Sequence, residues 1–336
     1  MVCGKPEKFS FMARIRHHLF AIFRTALGLG LVVYLVGSGT IDGAALMGLA
    51  QHWPVAVVAL GCVFGAVCLA SWRLCLLMQP QALHLSFSAS LRLTLIGLFF
   101  NTCLPGATGG DIVRIYYAAK DNPGRRIEIV TIFLLDRVAG MFSILLFPLL
   151  LSPLFVQALA SQTILRTLLW ATAFGLSVMI VGMCCAMSTR VCESRVVSRL
   201  LQQLPRGQYV ARVLATCQTA GAHLGSLGVS LIVSLGVHVL MTLATLLIVQ
   251  MTRPEGVSLL MALLIPLGFV ANALPLTPGG LGVGEAAFDQ LFQLAGFTGG
   301  AVALLGWRLL MLLIGLPGLV VYIFAKQPAV APQVVP

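Results

Sequence analysis

Charge is scarce in this chain: Asp, Glu, Lys and Arg make up 9% of its 336 residues, where a soluble globular domain carries roughly a quarter. That scarcity excludes an ordinary water-soluble enzyme. The short motifs that give soluble-enzyme chemistry its address are missing as well. There is no H-E-x-x-H, no G-x-S-x-G and no G-x-x-x-x-G-K-[ST], so zinc hydrolysis, an α/β-hydrolase nucleophile and nucleotide hydrolysis lack their residues. Nine cysteines are present without a single C-x-x-C pair. Most of them (Cys62, Cys68, Cys75, Cys103, Cys184, Cys185) sit inside apolar runs, where a thiol acts as a small hydrophobe. His17, His18, His223 and His238 show no ligand spacing. The net charge of +11 does not argue for nucleic acid, because the basic residues are spread over short segments between apolar runs. Membrane orientation and anionic lipid account for them.

What is abundant is hydrophobic sequence, 59% of the chain. Uncharged runs such as Thr167 to Met187 and most of Val213 to Thr252 exceed the ~20 residues that cross a hydrocarbon core as helix. Their lack of alternation selects helices over a barrel. The expectation is an all-α polytopic membrane protein: a basic N-terminal segment at 1–24, one transmembrane domain at 25–326 and a short tail at 327–336. The run from Thr25 follows Lys5, Lys8, Arg14, Arg16 and Arg24. It lacks a small-residue cleavage site, so it reads as an uncleaved first span.

Basic residues fall in clumps up to Arg24, at Arg73 and Arg92, from Arg114 to Arg126 and from Arg190 to Arg212, whereas Gly37 to Trp53 has none. The positive-inside rule places the clumps and both termini in the cytoplasm. The apolar stretch Thr94–Leu104 then lies between two cytoplasmic clumps and is too short to cross comfortably. Leu93–Gly110 therefore reads as a re-entrant hairpin. The count expected is about six full spans plus two broken segments.

The second broken segment repeats the first. Leu104-Pro105-x-x-x-Gly109-Gly110 recurs as Leu274-Pro275-x-x-x-Gly279-Gly280, and each is preceded by an asparagine, Asn101 or Asn272. Matching Gly/Pro interruptions in two halves point to an inverted-repeat transporter with its site where the broken helices meet. Plain inter-span loops are the alternative reading. Charged residues accompany each break: Asp111 and Arg114 after the first, Glu285 and Asp289 after the second. Asp136, Arg137 and Arg308 lie inside apolar runs. Each costs at least ~2.5 kcal/mol at a helix centre, so each should face protein or water. Asp136 and Arg137 are adjacent on a helix and point apart, so they are not expected to pair with each other. An interfacial turn remains open for these two, and snorkelling or a structural pair for Arg308. A helix restarting at Asp111, with Arg114 and Arg137 nearby, suits a phosphate group, although Asp111 can itself cap that helix.

The stretches "LPGATGGDIVRIYYAAK", "LLDRVAG" and "LPLTPGGLGVGEAAF", in this order, resemble the lysylphosphatidylglycerol synthase transmembrane-region family. This is the flippase-like membrane half of the multiple peptide resistance factor proteins. The resemblance implies a protein of the prokaryotic cytoplasmic membrane that moves lipid between leaflets and needs no redox or metal cofactor. By motif, Pro105, Gly109, Gly110, Asp111, Arg114, Asp136, Arg137, Pro278, Gly279, Gly280 and Glu285 are its functional positions. Asn101, Asn272, Pro275 and Arg308 join them from the residue reading. "LPGATGGD" departs from the expected pattern, which often carries a basic residue at the place of Ala107 or Thr108. Two-part resistance proteins continue into an aminoacyl-transferase domain, whereas ten residues follow Lys326 here. Aminoacylation is therefore expected from a separate lipid-modifying enzyme.

The expected partners are a membrane phospholipid or glycolipid and such an enzyme, with a homo-oligomer open and no nucleic acid. The reading is a translocator of an anionic or modified polar lipid. Two other classes stand beside it: a membrane-embedded transferase or accessory subunit using Asp111 or Glu285 as base, and a structural partner of an envelope synthase.

Overall fold

The computed structural model describes residues 51–103, 109–192, 194, 207–252, 257–273 and 283–324. The expected first span from Thr25 and the two terminal segments lie outside them. The described residues are helical, with no strand among them. The main helices are α1 (Trp53–Met78), α2 (Phe87–Cys103), α3 (Gly109–Asp121), α4 (Arg126–Leu151) and α5 (Thr163–Met187). They continue with α6 (Gly207–Ala222), α7 (Leu224–Thr252), α8 (Met261–Ala273), α9 (Val283–Leu294) and α10 (Gly300–Phe324).

Five of these, α1, α4, α5, α7 and α10, are long and apolar enough to cross a membrane, and α2 and α8 are shorter apolar helices. This is an all-α polytopic membrane protein. Inside a bilayer each helix satisfies its own backbone, so apolar runs of this length have no competing structure. Local punctuation agrees. Pro54 sits in the first turn of α1, where a missing N–H costs nothing. That chain segment then stops at Ala82, whose left-handed φ of 52° ends the 3₁₀ turn Gln79–Gln81.

The bundle is built twice. On α1, Gly65 faces Leu240 of α7, and on α7, Gly236 faces Leu69 of α1. The contacts run in opposite order along the two helices, so α1 and α7 are antiparallel. Gly65 to Gly236 and Leu69 to Leu240 are both spacings of 171 residues. A two-fold relation between the halves thus passes through this seam, perpendicular to both helices. Small side chains let the helices approach closely: Ala59, Val63, Val67, Ala244 and Ile248 are buried together there.

The remaining packing follows the same exchange. α1 packs on α2 as α7 packs on α8, and α2 on α3 as α8 on α9. α3 meets α4 as α9 meets α10, and α2 meets α10 as α8 meets α4. The α2–α10 contact is close, because Gly318 lies against the Leu95 carbonyl with no room for a Cβ and Gly315 lies against the Phe99 backbone. α5 and α6 join the two halves and pack on each other and on α4.

One sequence expectation is corrected. The sequence groups Arg73 with Arg92 in one cytoplasmic clump, whereas Arg73 lies within α1, 8% exposed and turned into the protein. Its partner explains the placement: Nε donates to Asp136 Oδ1 at 2.7 Å and a terminal nitrogen donates to Ser234 Oγ at 2.9 Å. Asp136 is accordingly buried within a continuous α4 that begins at Arg126, not an interfacial turn.

Candidate functional site

Each half contributes a hairpin of two packed helices, α2–α3 or α8–α9, drawn from the residues on either side of its motif. In the first, Asn101 Oδ1 accepts a hydrogen bond from Gly110 N–H at 2.8 Å, using a donor that a helix start leaves unpaired. Gly110 is wedged against the Gly97 carbonyl and the Asn101 side chain, and Gly97 in turn receives the Arg114 stem. A side chain at Gly110 would push the two helices apart, and one at Gly97 would displace Arg114. In the second hairpin, Gly284 is wedged against Asn272 and Gly268 receives the Phe288 ring. Gly97 and Asn101 lie 171 residues before Gly268 and Asn272, so the two hairpins share one design.

Both hairpins end in an ion pair to the long helix that follows. Asp111, in the first turn of α3, pairs with Arg137 of α4 at 3.2 Å and with Arg114 at 3.3 Å. Glu285, in the first turn of α9, pairs with Arg308 of α10 at 3.3 Å. Arg308 also donates to Asn272 Oδ1 at 3.0 Å. Arg137 and Arg308 are again 171 residues apart. A carboxylate in a first helical turn is favoured by the helix dipole, and an arginine from the neighbouring helix completes its neutralisation.

The structure therefore brings together Asn101, Gly110, Asp111, Arg114 and Arg137 at one hairpin and Asn272, Glu285 and Arg308 at the other. Gly109 begins α3 beside Gly110. Asp136 is not part of either group; it turns to Arg73 while its neighbour Arg137 turns to Asp111. Asp289 serves another purpose, accepting from Ala301 N–H at 2.8 Å near the start of α10. Pro105, Pro275, Pro278, Gly279 and Gly280 lie outside the described residues. Sequence reasoning missed Gly97, Gly268 and Gly284, and it missed Arg73 and Ser234. The glycines carried a usable signal, the G-x-x-x-N spacing common to "GLFFN" and "GFVAN".

Two further features border the hairpins. His238 Nε2 lies 3.2 Å from the Gly140 carbonyl, next to the Arg73 guanidinium, so the α1–α4–α7 junction is polar at its centre. Between α4, α5, α8 and α9 lies an apolar cavity of about 810 Å³, within the usual size range of ligand pockets. Its wall includes Leu145, Leu168, Gly175, Leu267 and Ala287, with Thr172, Gln290 and Gln293 as polar exceptions. The wall residues Met141, Ile164 and Leu168 are exposed, so the cavity opens sideways onto the apolar surface of the bundle. Among the described residues no three His, Cys, Asp or Glu side chains form a group able to hold a metal.

Fold and site together define a class: a helical membrane protein with two equivalent broken-helix hairpins, each closed by a carboxylate–arginine pair. Residues 21–318 match the family described as Lysylphosphatidylglycerol synthase TM region. The chain belongs to that family and is a membrane domain of lipid-related type. Comparison with curated proteins and with solved structures returns no match.

Proposed function

We propose that this protein translocates a polar lipid between the two leaflets of its membrane. The observation that carries the reading is the pair of equivalent hairpins, each holding an acidic first-turn residue against an arginine among spanning helices. Ionisable groups are expensive in such a place and mark substrate paths, and broken helices in two inverted halves are how transporters build a midplane site. In this mechanism the headgroup travels past Asp111–Arg137 and Glu285–Arg308, and the hairpins enter the bilayer from opposite faces. Acyl chains remain in the bilayer or enter the apolar cavity beside α8 and α9. Both termini are placed in the cytoplasm, with a phospholipid or glycolipid as substrate and a separate lipid-modifying enzyme as partner.

The test is leaflet exchange of fluorescent phospholipid in proteoliposomes, read by dithionite quenching, for the native chain and Arg137→Ala. Accelerated exchange that the variant loses while remaining folded supports the reading. Exchange no faster than in empty vesicles, over several headgroups, refutes it and favours an accessory role to an envelope-lipid enzyme.

A further inference from the structure

The two hairpins match in backbone and in ion pair, but they differ in charge. Arg114 and Phe288 fill the same place, since each presses on the glycine four residues before the hairpin asparagine. The first hairpin consequently sets two cations, Arg114 and Arg137, against Asp111, whereas the second sets Arg308 against Glu285. The breaks themselves, 104–108 and 274–282, contain no ionisable side chain. A surplus cation among spanning helices costs free energy unless something answers it.

Arg114 is also weakly held. Its bonds to Asp111 and Thr94 are 3.3 and 3.4 Å, at the long end for an N–H···O contact, and its Nε–H is buried with no hydrogen-bond partner among the described residues. The guanidinium otherwise rests over the Phe133 ring at 5.0 Å. By contrast, Arg73 reaches its carboxylate at 2.7 Å, and Arg308, whose contact with Glu285 is also 3.3 Å, adds a bond of 3.0 Å to Asn272. Access differs in the same sense: the Arg137 side chain is 39% exposed and that of Arg308 is 12% exposed. Arg137 is thus the more open entry to the first group, while Arg114 behind it is 11% exposed, as closed as Arg308.

The geometry points to Asp111 as a built-in substitute for a lipid phosphate, and to Arg114 as the residue that makes the protein prefer anionic over zwitterionic lipids. A phosphate diester has oxygens enough to take the bonds that both arginines now give to the Asp111 carboxylate. A headgroup with net negative charge also answers the surplus cation; a zwitterion brings its own cation and does not. This inference rests on the translocation reading and assigns that site its substrate class.

The experiment compares exchange of fluorescent phosphatidylglycerol and phosphatidylcholine in proteoliposomes for the native chain, Arg114→Phe, Arg114→Lys and Asp111→Asn. Size-exclusion after heating monitors the fold of each. The native chain should favour the anionic lipid by about tenfold, the factor expected of one charge-assisted contact. Arg114→Phe, which copies the second hairpin, should equalise the two lipids; Arg114→Lys should keep the preference at a lower rate. Asp111→Asn should widen the preference, and this variant decides the matter if Arg114→Phe does not fold. An unchanged preference in folded Arg114→Phe, a narrower one in Asp111→Asn, or equal rates in the native chain would each overturn the inference. Loss of the preference on adding inorganic phosphate would assign the site to free phosphate and overturn the lipid assignment. If no lipid moves at all, translocation fails separately. The charge preference is then read from the lipids retained by the detergent-purified protein in native mass spectrometry: retained anionic lipid that Arg114→Phe loses supports it, and indifference overturns it.

Discussion

Replacing Arg73 by methionine should cost about 3–5 kcal/mol, the usual result of stripping one member from a buried ion pair. The Arg73 and Asp136 side chains are 9% and 8% exposed and meet at 2.7 Å, so little water is at hand to solvate the carboxylate that remains. Ser234 loses its donor in the same step, and α1, α4 and α7 lose the polar contact on which they converge. Removing both charges is a different perturbation. In Arg73→Met/Asp136→Leu no unanswered charge remains, and apolar replacements of buried pairs are often neutral or stabilising. The double variant should therefore lie within about 1 kcal/mol of the native chain, with a coupling energy of several kcal/mol between the sites. Unfolding in mixed micelles titrated with sodium dodecyl sulfate supplies the four free energies of the cycle. The more open pair Arg125–Glu128, at 3.7 Å with side chains 42% and 22% exposed, provides the contrast, because Glu128→Gln, which leaves the bond from Arg125 to the Gln81 carbonyl in place, should cost no more than about 1 kcal/mol. A double variant as unstable as Arg73→Met would refute the reasoning, since the damage would then come from packing and not from stranded charge.

Gly284→Ala should destabilise by about 1–3 kcal/mol and slow lipid exchange, since its Cβ would displace Asn272 from Arg308; Gly61→Ala, with open space around it, should leave both stability and exchange unchanged. Filling the apolar cavity with Gly175→Trp should lower the exchange rate while leaving the melting temperature within a few degrees, which a thermal melt beside the vesicle assay will check. Cys217 of α6, a helix outside the five spanning ones, is buried, and burial together with the nearby Cys192 raises its thiol pKa. A raised pKa leaves less thiolate at pH 8, so Cys217 should resist maleimide until the protein unfolds, as mass spectrometry of labelled peptides would report.

The spanning helices were legible because length and lack of charge leave a bilayer protein few options. The same holds for the divergence of Asp136 and Arg137, which follows from helix geometry. The partner of Asp136 was not legible, because Arg73 sits near one end of an apolar run, where an arginine reads equally well as an interfacial anchor. The repeat was visible, but its register was not. The two L-P-x-x-x-G-G strings align Gly110 with Gly280, yet the glycine that packs on the hairpin asparagine is Gly284. From asparagine to packed glycine the second half is longer by three residues, twelve between Asn272 and Gly284 against nine between Asn101 and Gly110. Arg308 lies eight residues past the start of α10 where Arg137 lies eleven past the start of α4, so the two arginines fall back into step. Composition cannot reveal such a slip, since a helix registers glycine by what lies against it. The inequality of Arg114 and Phe288 was hidden for the same reason, since it becomes meaningful only when both are seen to occupy one place.

The α1–α7 seam has a consequence of its own. Each of these helices offers both a socket, Gly65 or Gly236, and a peg, Leu69 or Leu240. A single half therefore already contains everything the seam requires, and a second copy of that half, inserted upside down, would mate with it. Two short chains of opposite orientation could have met in this way before a linker such as α5–α6 tied them together. Within one chain the two halves need not be identical away from the seam, and Arg114 in one stands where Phe288 stands in the other.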